Sequence, residues 1–322
     1  MSQFSRRPDG HFRRSRRPIQ AGRPAPQRFP DEGERRFLAG IAINPAPRIR
    51  LEDGSKEFTV RAMDLICPIG MGQRGLIVAP PGSGKTTFLK HICQAVAKAV
   101  PQIRLYCLLI DERPEEVTDF QRSVTAEVRS SSSDQSYDHH IRTADMLMRQ
   151  AMGEAGNGKD VMIVIDSLTR LSRVHNAERS TSGRTLSGGV DARALEAPRR
   201  IFGSARKIEG GGSLTILATI LVDTGSRMDQ VIFEEFKGTG NMEMYLSREI
   251  SNHRIFPAVD IAKSGTRREE LLLGIDEIDA VRKIRRGLLE LGTVEAAKTL
   301  VNLLEKYPTN QKIFTALSGK KN

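Results

Sequence analysis

The apolar run Gly75–Ala79 passes through Pro80-Pro81-Gly82-Ser83-Gly84-Lys85-Thr86 straight into Lys85–Ala99, where Phe88, Leu89, Ile92 and Val96 recur at helical spacing. Strand, glycine-rich turn and helix start in immediate succession make an anion cradle. Backbone N–H groups converge there, with the positive end of the helix dipole behind them. A lysine that reaches the terminal phosphate oxygens and a hydroxyl for Mg²⁺ complete a nucleotide-phosphate loop. Lys85 and Thr86 fill those two posts, and Ala79 departs from the glycine usual at the first position.

The flanking text repeats the alternation. Ile103–Ile110, Val161–Ile165 and Leu214–Val222 are continuous apolar runs, and Pro114–Val128 and His139–Glu154 have helical spacing. Short apolar runs separated by helices predict parallel strands covered on both faces, an α/β doubly wound domain. Residues 37–68 read as a small extended entry segment, including Arg48–Leu51 and Phe58–Ala62, the Ser130–Ser133 run as a loop, and 277–322 as a helical C-terminus. The nine-residue run Leu214–Val222 is far short of the ~20 residues a spanning helix needs. The basic N-terminus is followed by no apolar segment of the kind a secretory signal carries. Three cysteines (67, 93 and 107) in no paired spacing suggest neither a disulfide framework nor a zinc site, so a cytoplasmic chain is expected.

Charge is unevenly placed. The chain has 50 Lys+Arg against 39 Asp+Glu, yet residues 1–36 alone hold ten arginines, five prolines and four acids. Such a segment buries too little apolar surface to offset its ordering entropy. It is therefore expected to be a disordered arm ahead of a body spanning 37–322. Phe4, Phe12 and Phe29 among its arginines would suit stacking on bases beside neutralised phosphates, although a solvated tail has the same composition.

Two strand ends supply acids. Val161–Ile165 ends at Asp166, the form of a metal-holding Walker B aspartate at the carboxyl edge where open sheets bind ligands. Ile103–Ile110 ends in Asp111-Glu112-Arg113-Pro114-Glu115-Glu116. Glu115 and Glu116 follow a proline and suit a first helical turn. Glu112 stands where RecA-type ATPases orient the attacking water, on a strand expected beside the phosphate-loop strand.

Five long blocks, LLIDERPEEVTDFQRSV (108–124), DSLTRLSRVHN (166–176), SGGVDARALEAPRRIFGSARKIEGGGSLTILAT (187–219), EEFKGTGNMEM (234–244) and RIFPAVDIAKSGTRREELL (254–272), resemble the ATPase core of the bacterial transcription termination factor Rho family. The resemblance runs from about Phe37 to the C-terminal helices. It implies a RecA-like P-loop ATPase, mostly parallel sheet with helices on both faces, that works as a homohexamer. It implies hydrolysis of ATP with Mg²⁺ between subunits and 5′-to-3′ movement on single-stranded RNA, with RNA polymerase as a further partner and no membrane. Carried over residue by residue, Pro81, Gly82, Ser83, Gly84, Lys85, Thr86, Thr87 and Phe256 bind ATP. Thr86 and Asp166 hold the metal, Glu112 is the base, Arg113 senses the γ-phosphate and Arg267 is an arginine finger. Arg184 and Gly188, in the loop Ser182–Gly189, and Arg227, in the loop Asp223–Met228, contact RNA in the pore, and Lys237 joins the RNA-binding set in a segment that follows the second loop and transmits its state to the nucleotide. Read alone, Arg267 is a surface charge, Phe256 a core ring and Lys237 a solvated turn residue.

The sequence departs from the family in places. Gly82-Ser83 stands where the family commonly has Lys-Ala, and Arg184 and Arg227 stand where lysine is common. The OB-fold that loads pyrimidine-rich RNA in the family has no counterpart pattern before residue 37. That departure motivates an alternative, a regulatory subunit assembling with a longer family member. A rotary or protein-export motor is a third possibility, opposed by two basic glycine-rich loops.

Overall fold

The structure, a computed structural model, describes residues 30–179, 189–191 and 193–318. It begins with α1 (Glu32–Ala39), β1 (Ala42–Ile43), β2 (Arg48–Ile49), α2 (Phe58–Ile66), β3 (Ile69–Gly70), β4 (Arg74–Ala79) and α3 (Lys85–Ala99). There follow β5 (Arg104–Glu112), α4 (Pro114–Ser123), β6 (Glu127–Ser132), α5 (Tyr137–Gly156), β7 (Asp160–Asp166) and α6 (Leu168–Arg179). Next come α7 (Glu196–Gly203), β8 (Arg206–Ile208), β9 (Ser213–Leu221), α8 (Arg227–Phe236), β10 (Met242–Leu246), α9 (Arg248–Asn252) and β11 (Val259–Thr266). The C-terminal helices are α10 (Ile275–Leu289), α11 (Thr293–Lys306) and α12 (Asn310–Ser318).

The sheet runs β11-β10-β4-β9-β7-β5-β6. β10, β4, β9, β7, β5 and β6 are mutually parallel, and β11 joins antiparallel at one edge. Alternation along each strand divides the interior. Cys107, Leu109, Met162 and Val164 pack with α2, α3 and the C-terminal helices; Tyr106, Leu108, Ile163 and Ile165 pack with α5 and α6 on the other face. Both faces are covered, as continuous apolar strands require. Among the described residues no helix is long and apolar enough to cross a membrane.

Several elements differ from expectation. Phe58–Ala62 is the start of α2, a helix, not an extended segment. Thr59 to Ile66 are all buried, so no polar face marks the 3.6-residue period. Ser130–Ser132 belongs to the edge strand β6, whose polar text reflects its half-exposed face. The expected helix over Pro114–Val128 stops at Ser123. β5 is separated from β4 by β9 and β7, so the glutamate strand is not adjacent to the phosphate-loop strand. The expected boundary at residue 37 falls inside α1, which starts at Glu32 behind an Asp31 cap whose carboxylate accepts from Glu34 N at 2.7 Å. The arm's residues 1–29 lie outside the described residues.

The C-terminal helices are tied to the body by a buried arginine. Arg61 of α2 donates to the carbonyls of Leu304 (2.7 Å) and Tyr307 (2.6 Å) at the end of α11 and lies 3.2 Å from Glu52. Glu52 in turn accepts from the backbone N of Asn310 at 2.9 Å, at the start of α12. Removing one partner of such a buried set leaves carbonyls and a carboxylate unpaired. Arg61→Ala is expected to lower unfolding stability by about 3–5 kcal/mol in chemical denaturation.

Candidate active site

The loop between β4 and α3 turns twice through left-handed backbone, at Gly82 (φ 77°) and Gly84 (φ 86°). A side chain is strained at either position, and at Gly84 a Cβ would also meet the ring of Phe256 at 3.5 Å. Ser83 closes the turn by donating to the carbonyl of Pro80 at 2.7 Å. Ser251 of α9 braces it by donating to the carbonyl of Gly82 at 3.2 Å. Pro81, Gly82 and Thr87 are exposed and Thr86 is half-buried, leaving the first turn of α3 open to a ligand.

Three strand ends then deliver charge to one point. Asp166 pairs in register with Leu109 of β5. Lys85 Nζ lies 2.5 Å from both carboxylate oxygens of Asp166 and 3.6 Å from Glu112 Oε1. Both acids are almost fully buried. Thr219 of β9 donates its hydroxyl to Asp166 Oδ1 at 2.8 Å. Glu112 is delivered by a bulge: Asp111 adopts φ 57°, and the register between β5 and β6 shifts at that residue. Aspartate tolerates left-handed backbone better than most residues, and a bulge re-aims the side chain that follows it. Burial pushes the Glu112 carboxyl up to about 7; the nearby Asp166 charge adds to the rise, and Lys85 and Arg170 oppose it.

Sequence reasoning missed the arginines of α6. Arg170 Nε lies 3.1 Å from Glu112 Oε1, and its Nη1 donates to the Asp111 carbonyl. One turn on, Arg173 holds Asp229 of α8 in a two-pronged pair, with Nε to Oδ1 at 2.7 Å. Asp229 also accepts from Thr224 Oγ1 at 2.6 Å, within the Asp223–Met228 loop. One further turn on, Asn176 donates to the Gly189 carbonyl and accepts from Asp191 N at 2.8 Å. The signal was available: positions 170, 173 and 176 step by three along a helix that begins beside Asp166.

The remaining expected residues are placed as follows. Arg227 is exposed at the start of α8. Arg113 is exposed, 4.0 Å from Glu116. Phe256 is 47% exposed rather than a core ring. It lines a cavity of about 400 Å³ with Thr59 and His91, which share a 3.0 Å hydrogen bond. Lys237 does not join Arg227. It ends α8 at the far end, and ten helical residues separate the two by about 15 Å. Instead it lines a cavity of about 450 Å³ with Lys263 and Arg267. Arg184 and Gly188 lie outside the described residues.

Arg267 is remote from the phosphate loop of its own chain. Thr266 pairs with Met242, and Met242 with Gly75, at the amino end of β4; the loop leaves the carboxyl end after Ala79. Four strand residues at ~3.3 Å each already separate the two levels by about 13 Å.

Residues 59–266 match the model for the ATP synthase alpha/beta family, nucleotide-binding domain. The chain is 52% identical over 284 residues to transcription termination factor Rho of Streptomyces coelicolor, covering 88% of this chain and 68% of that one. It is 50% identical over 273 residues to the Rho of Haemophilus influenzae, covering 84% and 65%, and 49% identical over 282 residues to that of Bacillus subtilis, covering 88% and 66%. The chain belongs to the Rho family. It spans about two thirds of the length of these Rho relatives and 40% of the Rho from Micrococcus luteus. A type III secretion system ATPase from pathogenic bacteria shares the fold, with TM-score 0.67, 24% identity and coverage of 81% and 83%. EscN of enteropathogenic E. coli does so with TM-score 0.69, 22% identity and coverage of 89% and 73%. The chain is thus a Rho-family member whose nucleotide-binding domain has a RecA-like P-loop fold.

A buried glutamate that titrates near 7 sets the pH profile if it is the base. Below that value it is protonated and cannot accept a proton from water. The kcat/KM for ATP is therefore expected to fall about tenfold per unit below pH 7 and to level off above it. Glu112→Gln should abolish turnover at every pH in a phosphate-release assay.

Proposed function

We propose that this chain is the motor of a hexameric ring that hydrolyses ATP between subunits, moves 5′-to-3′ along single-stranded RNA and terminates transcription by RNA polymerase. The observation that carries the proposal is the face of α6, where successive turns hold the glutamate of the ATP site (Arg170), the anchor of the Arg227 loop (Arg173) and the exit of the loop ending at Gly189 (Asn176). A change at Glu112 on hydrolysis shifts Arg170, and a rigid helix transmits that shift to both loops. By sequence each loop carries one arginine and glycine backbone, features suited to following a phosphate chain, and Arg227 is exposed.

The residues fit Mg²⁺. Asp166 and Glu112 already share one cation, the Lys85 ammonium, and Thr86 adds a hydroxyl oxygen. Among the described residues no cluster of three or more His, Cys, Asp or Glu could hold a metal unaided. Mg²⁺ characteristically takes one or two carboxylates and completes its shell with water and substrate phosphates. When bound, it would neutralise the phosphate charge. Asp166 and Thr86 would hold it, Lys85 would turn to the terminal phosphate oxygens, and the N–H groups of Gly82 to Thr87 would cradle the β-phosphate. Glu112 would orient water and accept its proton. Phe256 would pack against the base in the cavity beside Gly84, and Arg113 would meet the γ-phosphate.

Arg267 reaches no phosphate of its own chain, so its function requires a second copy facing its neighbour's P-loop, with Lys237 and Lys263 alongside. This supports a ring.

The experiment is ATP hydrolysis with and without homopolymer RNA. Wild type is expected to be strongly stimulated. Lys85→Ala should lose hydrolysis altogether, and Arg267→Ala should lose about 10³-fold or more in kcat while still binding nucleotide. Arg173→Ala should keep nucleotide binding and lose most of the RNA stimulation. A wild-type rate indifferent to single-stranded RNA would overturn the reading.

A further inference from the structure

A cavity of about 520 Å³ lies apart from the ATP site, between α1, α5 and α7. Its size is that of a small-ligand pocket, within the usual ~300–1,000 Å³. Its floor is apolar and polarizable, with Leu38, Met148, Met152 and Ile201. Arg149, Arg200 and Arg206 line it with guanidinium groups. Arg206 is held in place from two directions, over the Phe37 ring at 5.4 Å and by Nε donating to the Ser204 carbonyl at 3.1 Å. The acids present are Glu34 and Asp145. Burial raises the Asp145 carboxyl against the pull of Arg200 and Arg149, and three arginines outnumber the two acids of the lining.

Position is the second observation. α1 continues on its amino-terminal side into residues 1–29, which contain eight arginines and one acid. α7 follows shortly after the loop that ends at Gly189. The cavity is therefore lined by the helix that the strongly basic segment leads into and by the helix that follows a pore-loop candidate in the chain.

We infer that this cavity binds one nucleotide of a single-stranded RNA outside the pore, its phosphate on Arg149, Arg200 and Arg206 and its base on the Met148, Met152 and Leu38 floor. Cations that follow the backbone beside a platform for the base are the elements of sequence-tolerant single-strand binding, and here methionine and leucine stand where aromatic rings usually serve. A nucleotide held here gives the ring a grip on RNA that does not pass through ATP hydrolysis. This inference rests on the RNA-motor reading above.

The test measures equilibrium binding of fluorescent single-stranded RNA to the full chain, without nucleotide, across a salt series. Two variants are compared with wild type. Arg149→Ala/Arg200→Ala removes two exposed cations. Gly203→Asp places a carboxylate in the cavity wall, where an added Cβ meets nothing within 4 Å. Each single-strand phosphate contact contributes about −0.7 to the slope of log K against log salt. The double variant should therefore flatten that slope by about 1.4 and weaken binding roughly tenfold at ~0.15 M salt. Gly203→Asp should weaken binding in the same direction. Affinity and slope equal to wild type in both variants would overturn the inference and leave the motor reading intact. Wild-type protein that neither binds single-stranded RNA nor is stimulated by it would overturn the motor reading itself.

Discussion

One ammonium group shared by two buried carboxylates organises the site. Lys85 sits 2.5 Å from Asp166 and 3.6 Å from Glu112, and each acid is nearly removed from water. Two carboxylates so close cannot both ionise cheaply, and a cation between them is what allows it. The surrounding architecture supplies the cation and its anchors. β4 carries the lysine into the first turn of α3, β7 ends in the aspartate, and β5 breaks its alternation at Asp111 to deliver the glutamate. Thr219 fixes Asp166 from β9, and Arg170 fixes Glu112 from α6. The result is a pocket that holds one positive charge between two buried carboxylates.

The same sheet separates the parts of the reaction. The carboxyl ends of β4, β7 and β5 hold the phosphate loop and the acids; the amino end of β4 lies level with Thr266, next to Arg267. One chain thus presents a lysine-and-carboxylate half and a cationic half made by Lys237, Lys263 and Arg267. In the proposed ring, two copies facing each other would bring these halves together. α6 runs from the first half, where Arg170 meets Glu112, to Arg173 on Asp229 and Asn176 on Gly189, so one helix joins the acid cluster to both loop ends.

Much of this was legible in the sequence, for physical reasons. α3 spans the Lys85–Ala99 predicted for it, because one apolar face and a glycine turn mark it at once. β7 and β9 match their apolar runs because strands covered on both faces need no alternation. α2 was misread as extended because a helix buried on every side loses its polar stripe, and β6 was missed because an edge strand can be written in serine. Arg170 and Arg173 escaped notice because their importance depends on what faces them: Glu112 and Asp229 lie 58 and 56 residues away. Lys237 was assigned to the RNA set by the family resemblance; its place beside Arg267 follows from the length of α8, which periodicity alone does not orient.

The shared-cation account is tested most directly by titrating the Glu112 carboxyl in nucleotide-free protein, with ¹³C-labelled glutamate followed by NMR and Glu112→Gln used to assign the signal. The account predicts a midpoint near 7 in wild type, a lower one in Asp166→Asn, where the neighbouring negative charge is gone, and a higher one in Lys85→Met, where the shared cation is gone. A wild-type midpoint near the ordinary carboxylate value of about 4.3, unmoved by Asp166→Asn, would contradict it.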